Sequence, residues 1–203
     1  MTITYQVKEA VYVNLTNRCP CACRFCIRNN GPSVFGSDSL WLEREPTLDE
    51  VTASLDGWDY ARFREVVFCG YGEPTERLDV LLAAAEHLKR KDASLRVRVN
   101  TNGLSDLING GPTARLFEGK VDSLSISLNT DDAEEYQAMC RSRFGAAAYP
   151  AILAFAKEAA AVLPEVVMTV VGEPVTDLEK QARCRAIAES LGARFRVRRY
   201  EAP

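Results

Sequence analysis

Short apolar runs recur along the chain, each broken by a polar or glycine-containing turn. Val11–Thr16, Glu65–Cys69, Leu95–Asn100, Leu124–Asn129, Val166–Val171 and Arg194–Tyr200 predict six strands. Leu95–Asn100 alternates with period two, while Glu65–Cys69 is a short apolar run consistent with a buried strand. Between these runs, helical spacing returns over about Leu78–Arg90, Glu134–Cys140, Tyr149–Val162 and Leu178–Leu191. Thr47 and Glu50 have the spacing of a capping box and predict another helix, through about Leu55 to Trp58. Gly192 reads as a C-cap. Strand and helix alternate six times, so the pattern predicts an α/β fold with a parallel sheet and right-handed crossovers. No repeat, low-complexity segment or linker interrupts residues 1–203, which read as a single domain with a real core.

Polar and glycine residues collect just after the strands. The first run leads into Cys19-Pro20-Cys21-Ala22-Cys23-Arg24-Phe25-Cys26, and the second into Gly70-Tyr71-Gly72-Glu73-Pro74. The third ends in Thr101-Asn102-Gly103, and the fourth carries Ser127 and ends on Asn129. In a parallel sheet these segments meet at the carboxyl edge, where such folds bind ligands. Gly70 and Gly72 would let backbone approach a ligand closely, and Pro74 stiffens the exit. Residues 27–46 read as a long loop, expected to be functional or mobile and to lie over the cysteines. The plain alternatives are an ordinary βα turn at Gly70–Pro74 and strand-end capping by Ser127 and Asn129.

Cys19, Cys23 and Cys26 stand at a three-then-two spacing. Three thiolates around an iron–sulfur cube leave one iron open to another ligand. A structural zinc wants four closed ligands, and here no second Cys-x-x-Cys follows and the chain has a single histidine.

Cys-x-x-x-Cys-x-aromatic-Cys after a first strand, with Phe25 in the aromatic slot, resembles the cluster loop of the radical S-adenosylmethionine (SAM) superfamily. Gly70, Tyr71, Gly72, Glu73 and Pro74 resemble its Gly-Gly-Glu-Pro segment, with Tyr71 intervening. Cys-Arg-Phe-Cys-Ile-Arg-Asn, Phe-Cys-Gly-Tyr-Gly-Glu-Pro-Thr, Val-Asn-Thr-Asn-Gly, Ser-Leu-Asn and Phe-Arg-Val-Arg are similar to the TatD-nuclease-associated subgroup, a label that names no substrate. The resemblance spans nearly all of the chain and implies a partial (β/α)6 barrel. It implies a [4Fe–4S] cluster on Cys19, Cys23 and Cys26, with SAM chelating the fourth iron. It further implies cleavage of SAM to methionine and a 5′-deoxyadenosyl radical that takes hydrogen from a substrate. Glu73 and the carbonyls around Gly70–Gly72 would receive the SAM ammonium. Thr101, Asn102, Ser127 and Asn129 would serve its carboxylate and ribose, and Arg141 is a further candidate for the carboxylate. Relatives often place an acid at the Asn129 position; an amide still bonds a ribose hydroxyl, without charge. An electron donor such as flavodoxin or ferredoxin and a functional link to a TatD-type nuclease complete the implied partners.

Arginines add a second feature. Arg96 and Arg98 share one face of the third strand, and Arg194, Arg196 and Arg198 share one face of the sixth. Turned into a barrel they would line an electropositive cavity, with Arg198 and Arg98 as candidates to hold an anionic or nucleotide-like substrate; the competing view makes them solvated edge positions. Cys21 is off the family spacing, Cys69 is expected to pack as a small hydrophobe, and Cys140 and Cys184 fall on helices. With 47% hydrophobic and 26% charged residues and a net charge of −3, nothing global points to nucleic acid or an anionic membrane. No apolar run approaches a membrane span, Met1–Gln6 has no signal character, and seven cysteines suit a reducing compartment, so a cytoplasmic protein is expected. Two further classes stay open: an iron–sulfur binding or sensing protein without turnover, and a zinc-binding interaction module.

Overall fold

The computed structural model describes residues 1–201. Its sheet has seven strands in chain order: β1 (Thr4–Val7), β2 (Ala10–Val13), β3 (Glu65–Phe68), β4 (Arg96–Thr101), β5 (Ser123–Ser127), β6 (Glu165–Val171) and β7 (Arg194–Arg198). β1 pairs antiparallel with β2, and every later pair is parallel. Helices α1 (Leu48–Asp56), α2 (Leu78–Lys91), α3 (Ser105–Asn109), α4 (Ala133–Cys140), α5 (Ala148–Val162) and α6 (Leu178–Ser190) fill the crossovers. β2 to β7 form an open, partial (β/α)6 barrel, with β1 and β7 as its edges.

The predicted elements form; β2 and β7 end at Val13 and Arg198, short of the expected Thr16 and Tyr200, and three further differences have a physical reason. Thr4–Val7 was not foreseen as a strand, because it buries only Tyr5 and so carries no period; its ladder with β2 makes it one. α3 is a five-residue helix, too short to show a stripe. β5 stops at Ser127, and the chain then turns through Asn129 in the left-handed region (φ 66°). The capping box on α1 is complete: Glu50 N–H donates to Thr47 Oγ1 and Thr47 N–H to the Glu50 carboxylate.

Alternation divides each strand between two environments. Val66 and Phe68, Val97 and Val99, Leu124 and Ile126, and Met168 and Val170 are wholly buried with Leu81, Phe117 and Phe155 in one core. Each such side chain contributes about 1.5–3 kcal/mol by leaving water. The alternating positions face the other way, and there side chains bond across an intervening strand. Arg96 of β4 reaches Glu165 of β6, and Arg196 of β7 reaches Ser125 of β5. Bonds that skip a strand require this face to be concave.

Candidate cluster and cofactor site

The cysteine loop leaves the carboxyl end of β2 and is held from two sides. Ala22 N–H and Arg24 N–H donate to the carbonyls of Cys140 and Met139 at the end of α4, and Arg143 N–H donates to the Pro20 carbonyl. On the other side Glu73 N–H donates to the Arg18 carbonyl at 2.8 Å. Arg18 also ion-pairs with Glu45 and with the buried Glu76, tying the loop's entry to the Gly-rich segment's exit. Cys19, Cys23 and Phe25 pack partly buried against the core. A loop anchored along its main chain can present three thiols without a tetrahedral ion to organise it.

Among the described residues no three His, Cys, Asp or Glu side chains converge closely enough to hold one metal ion. Burial pushes the Cys26 thiol up from its ordinary pKa, while the Arg28 backbone N–H and the charges of Arg28 and Arg198 favour the thiolate. Asn102 Nδ2 lies 3.9 Å from Cys19 Sγ and 4.0 Å from Cys21 Sγ. Cys21 is buried, 3.8 Å from Tyr136 Oη, facing α4. Cys140 accepts from Asn129 Nδ2 at 3.4 Å, and Cys184 is buried on α6. Cys69 is partly exposed and follows β3 on the concave side.

The Gly-rich turn differs from expectation in what its glycines approach. A Cβ on Gly72 would lie 2.2 Å from the Thr16 carbonyl oxygen and 2.6 Å from that of Arg18. One on Gly70 would lie 2.0 Å from Asn14 Oδ1. Both glycines therefore make room for the segment that leads from β2 into the cysteine loop, and this close approach is between two segments of the chain. Pro74 starts a short 3-10 turn and is buried. Tyr71 is buried with Leu40, donates from Oη to the Gly31 carbonyl at 2.7 Å and meets Trp41 edge-on, so its side chain anchors the 27–46 loop.

Glu73 is 4% exposed, and its carboxylate is already surrounded. Oε1 accepts from Thr101 Oγ1 (2.7 Å), Thr75 Oγ1 (2.9 Å) and Thr75 N–H (3.2 Å), and Oε2 accepts from Asn102 N–H (2.7 Å). Burial nonetheless pushes its pKa up, against these four bonds. Thr101 is thereby committed to Glu73, whereas Ser127 lies on the concave face and accepts from Arg198 at 3.4 Å. Asn129 is 3% exposed, and its Oδ1 is buried without a partner, an acceptor fit for a hydroxyl such as a ribose would offer. Arg141 is the exposed C-cap of α4 in the left-handed region (φ 49°), and its side chain has no hydrogen bond or ion pair among the described residues. Arg98 is taken up by Glu65, at 2.7 and 3.1 Å, and by Asn100.

Two residues of the site escaped sequence reading. Asn14, buried behind Gly70, donates to the carbonyls of Leu40 (2.7 Å) and Thr2 (3.3 Å); a lone amide within an apolar run is its only signal. Ser125 was hidden in the alternation of β5, where only the partner Arg196 distinguishes it.

A three-thiol loop on the carboxyl edge of an open parallel barrel is the architecture of a class of iron–sulfur enzymes. The sequence model of the Radical SAM superfamily matches residues 13–190, and the chain belongs to that superfamily, whose cofactors are a [4Fe–4S] cluster and SAM. Over 136 residues it is 29% identical to the GTP 3′,8-cyclase of Lactiplantibacillus plantarum, covering 67% of this chain and 38% of that protein. Over 143 residues it is 28% identical to the dual-specificity RNA methyltransferase RlmN of Sulfurimonas denitrificans, covering 65% and 36%. The chain thus spans under two fifths of these relatives. Its fold is similar to that of Streptococcus suis SuiB bound to S-adenosylmethionine (TM-score 0.66, 19% identity, 94% of this chain and 38% of that one). It is also similar to methylornithine synthase PylB (TM-score 0.67, 14% identity, 95% and 53%).

Proposed function

We propose that this chain is the catalytic core of a radical SAM enzyme acting on an anionic substrate. The observation that carries it is the junction of the cysteine loop with the Gly-rich turn, where Gly72 abuts the Thr16 and Arg18 carbonyls and Glu73 N–H bonds the latter. Cys19, Cys23 and Cys26 would hold the cluster. Bound together, cluster and SAM supply a 5′-deoxyadenosyl radical that takes a hydrogen atom from substrate. Carbonyls of Gly70–Gly72 would orient the SAM ammonium, with Glu73 fixing their turn and the Asn102 main chain. Asn102, Ser127 and Asn129 would meet the carboxylate and ribose. The unpartnered, buried Asn129 Oδ1 favours a bound ligand over a non-catalytic cluster protein.

A nucleotide is one substrate that fits the arginine-lined face, and a curated relative named GTP 3′,8-cyclase acts on one. The subgroup kinship to TatD-nuclease-associated proteins rests on the motif stretches above; a nuclease would be a functional companion, and a flavodoxin or ferredoxin the electron donor, in a reducing cytoplasm. No helix among the described residues is long and apolar enough to cross a membrane.

The test is anaerobic reconstitution with iron and sulfide, then SAM and a strong reductant. We expect 5′-deoxyadenosine from the native chain and none from Cys23→Ala. A fully loaded cluster with no SAM-dependent spectral change would transfer the assignment to an iron–sulfur protein without turnover.

A further inference from the structure

The concave face of the sheet carries Arg96, Arg98, Arg194, Arg196 and Arg198 against the carboxylates of Glu65 and Glu165. Five cations face two anions, so three positive charges are left over in a chain whose net charge is −3. The carboxylates are not shared evenly. Glu65 takes Arg98 at 2.7 Å, and Glu165 takes Arg96 and Arg194, all toward the amino ends of the strands. Arg196 and Arg198, nearer the cluster loop, find no carboxylate. Their Nη2 atoms reach only hydroxyls, Ser125 Oγ at 3.0 Å and Ser127 Oγ at 3.4 Å, and Arg198 Nε is buried with no partner at all. Burial lowers the basicity of both guanidinium groups, and Arg98 beside Arg196, then Arg196 beside Arg198, lowers it further. Arg196 is exposed on the edge strand and Arg198 lies deeper, so it is the charge of Arg198 that is costly unless an anion completes it.

We propose that Arg196 and Arg198, with the hydroxyls of Ser125 and Ser127, seat a phosphate group of the substrate inside the barrel. A single carboxylate engages one guanidinium fork, whereas a phosphate monoester carries about −1.5 to −2 charges at neutral pH and three acceptor oxygens, enough for two. A cavity of about 320 Å³ opens at the level of Arg196, lined by Arg98, Ser125, Val167, Arg196 and the Glu65 and Glu165 ion pairs, with Ser127 and Arg198 outside its lining. Ser127 and Arg198 stand two residues further up their strands, about 7 Å toward the cysteine loop. A phosphate held between these levels would anchor the substrate from below and leave its carbon skeleton pointing toward Cys23 and Cys26. This assignment rests on the enzymatic proposal for the kind of ligand, but not for its test.

The experiment is equilibrium dialysis of labelled inorganic phosphate against the reconstituted protein at constant ionic strength, with SAM binding read separately from the cluster spectrum. We expect saturable phosphate binding that acetate does not displace. It should weaken about tenfold or more in Arg196→Gln and in Arg198→Gln. It should be unchanged in Arg183→Gln, which breaks an outer ion pair with Asp131. Ser125→Asp gives a second route should Arg198→Gln fold poorly: its carboxylate would occupy the seat, raise the thermal midpoint and abolish phosphate binding. Three outcomes overturn the proposal: no saturable binding, equal displacement by acetate, or loss of SAM binding in Arg198→Gln with phosphate binding intact. Phosphate bound through this pair in a protein that forms no 5′-deoxyadenosine would instead overturn the enzymatic proposal and leave the seat standing.

Discussion

Glu73 accepts the main-chain N–H of Asn102 at 2.7 Å, so the Gly-rich turn after β3 and the polar end of β4 are locked to each other from inside the protein. Asn102 in turn places its amide near Cys19 and Cys21. Glu73 therefore acts on the cysteine loop through position, and removing its carboxylate strands four donors at once. Glu73→Ala is expected to cost about 3 kcal/mol or more in urea denaturation, since each buried orphan costs roughly 1–3 kcal/mol. A loss well under about 1 kcal/mol would show that water satisfies these donors and that the lock is dispensable.

Gly72 separates packing from conformation. Its Cβ would strike two carbonyl oxygens of the 16–18 segment, whereas a Cβ at Gly111 meets nothing within 4 Å. Gly72→Ala should displace the cysteine loop and lower iron and sulfide content after reconstitution; Gly111→Ala should leave both at native levels.

Iron analysis also distinguishes the cysteines. Alanine at Cys19, Cys23 or Cys26 should each deplete the reconstituted cluster, while Cys21→Ala should retain it, because that thiol lies buried beside Tyr136. Depletion in Cys21→Ala equal to that in Cys23→Ala would make Cys21 a ligand.

Arg98 is predicted to matter for folding. Its side chain is 12% exposed and is held by Glu65, so Arg98→Ala leaves that partly buried carboxylate with only the longer contact to Arg96, at 3.7 Å. A loss of about 2–3 kcal/mol is expected, below the roughly 3–5 kcal/mol of a fully buried pair.

The α1 cap gives a pH signature. Arg44, then the Thr47 backbone N–H, hold the exposed Glu50 down to about 2, so the folded state favours its charged form. Its contribution is present above the ordinary carboxylate range and is lost as pH falls toward that value. The thermal midpoint of Glu50→Gln should thus lie below that of the native chain at neutral pH and converge with it in acid. A constant gap at all pH values would assign the cap to geometry alone.

The sequence by itself determined the strand and helix order, the three-thiol loop and the meeting of polar turns at one edge. These follow from local periods and spacings, which any single segment carries. Thr4–Val7 lay beyond that reach, because its only signal is the partner it pairs with. So did the roles within the site. Arg98 and Arg198 look alike along the chain, each on one face of a charged strand, and only the fold gives Glu65 to the first and no carboxylate to the second. Gly72 shows along the chain only that backbone must come close there, and the fold adds that the Thr16 and Arg18 carbonyls are among what it meets. The tertiary structure decided who pairs with whom, because burial, charge compensation and close contact belong to pairs of residues distant in sequence.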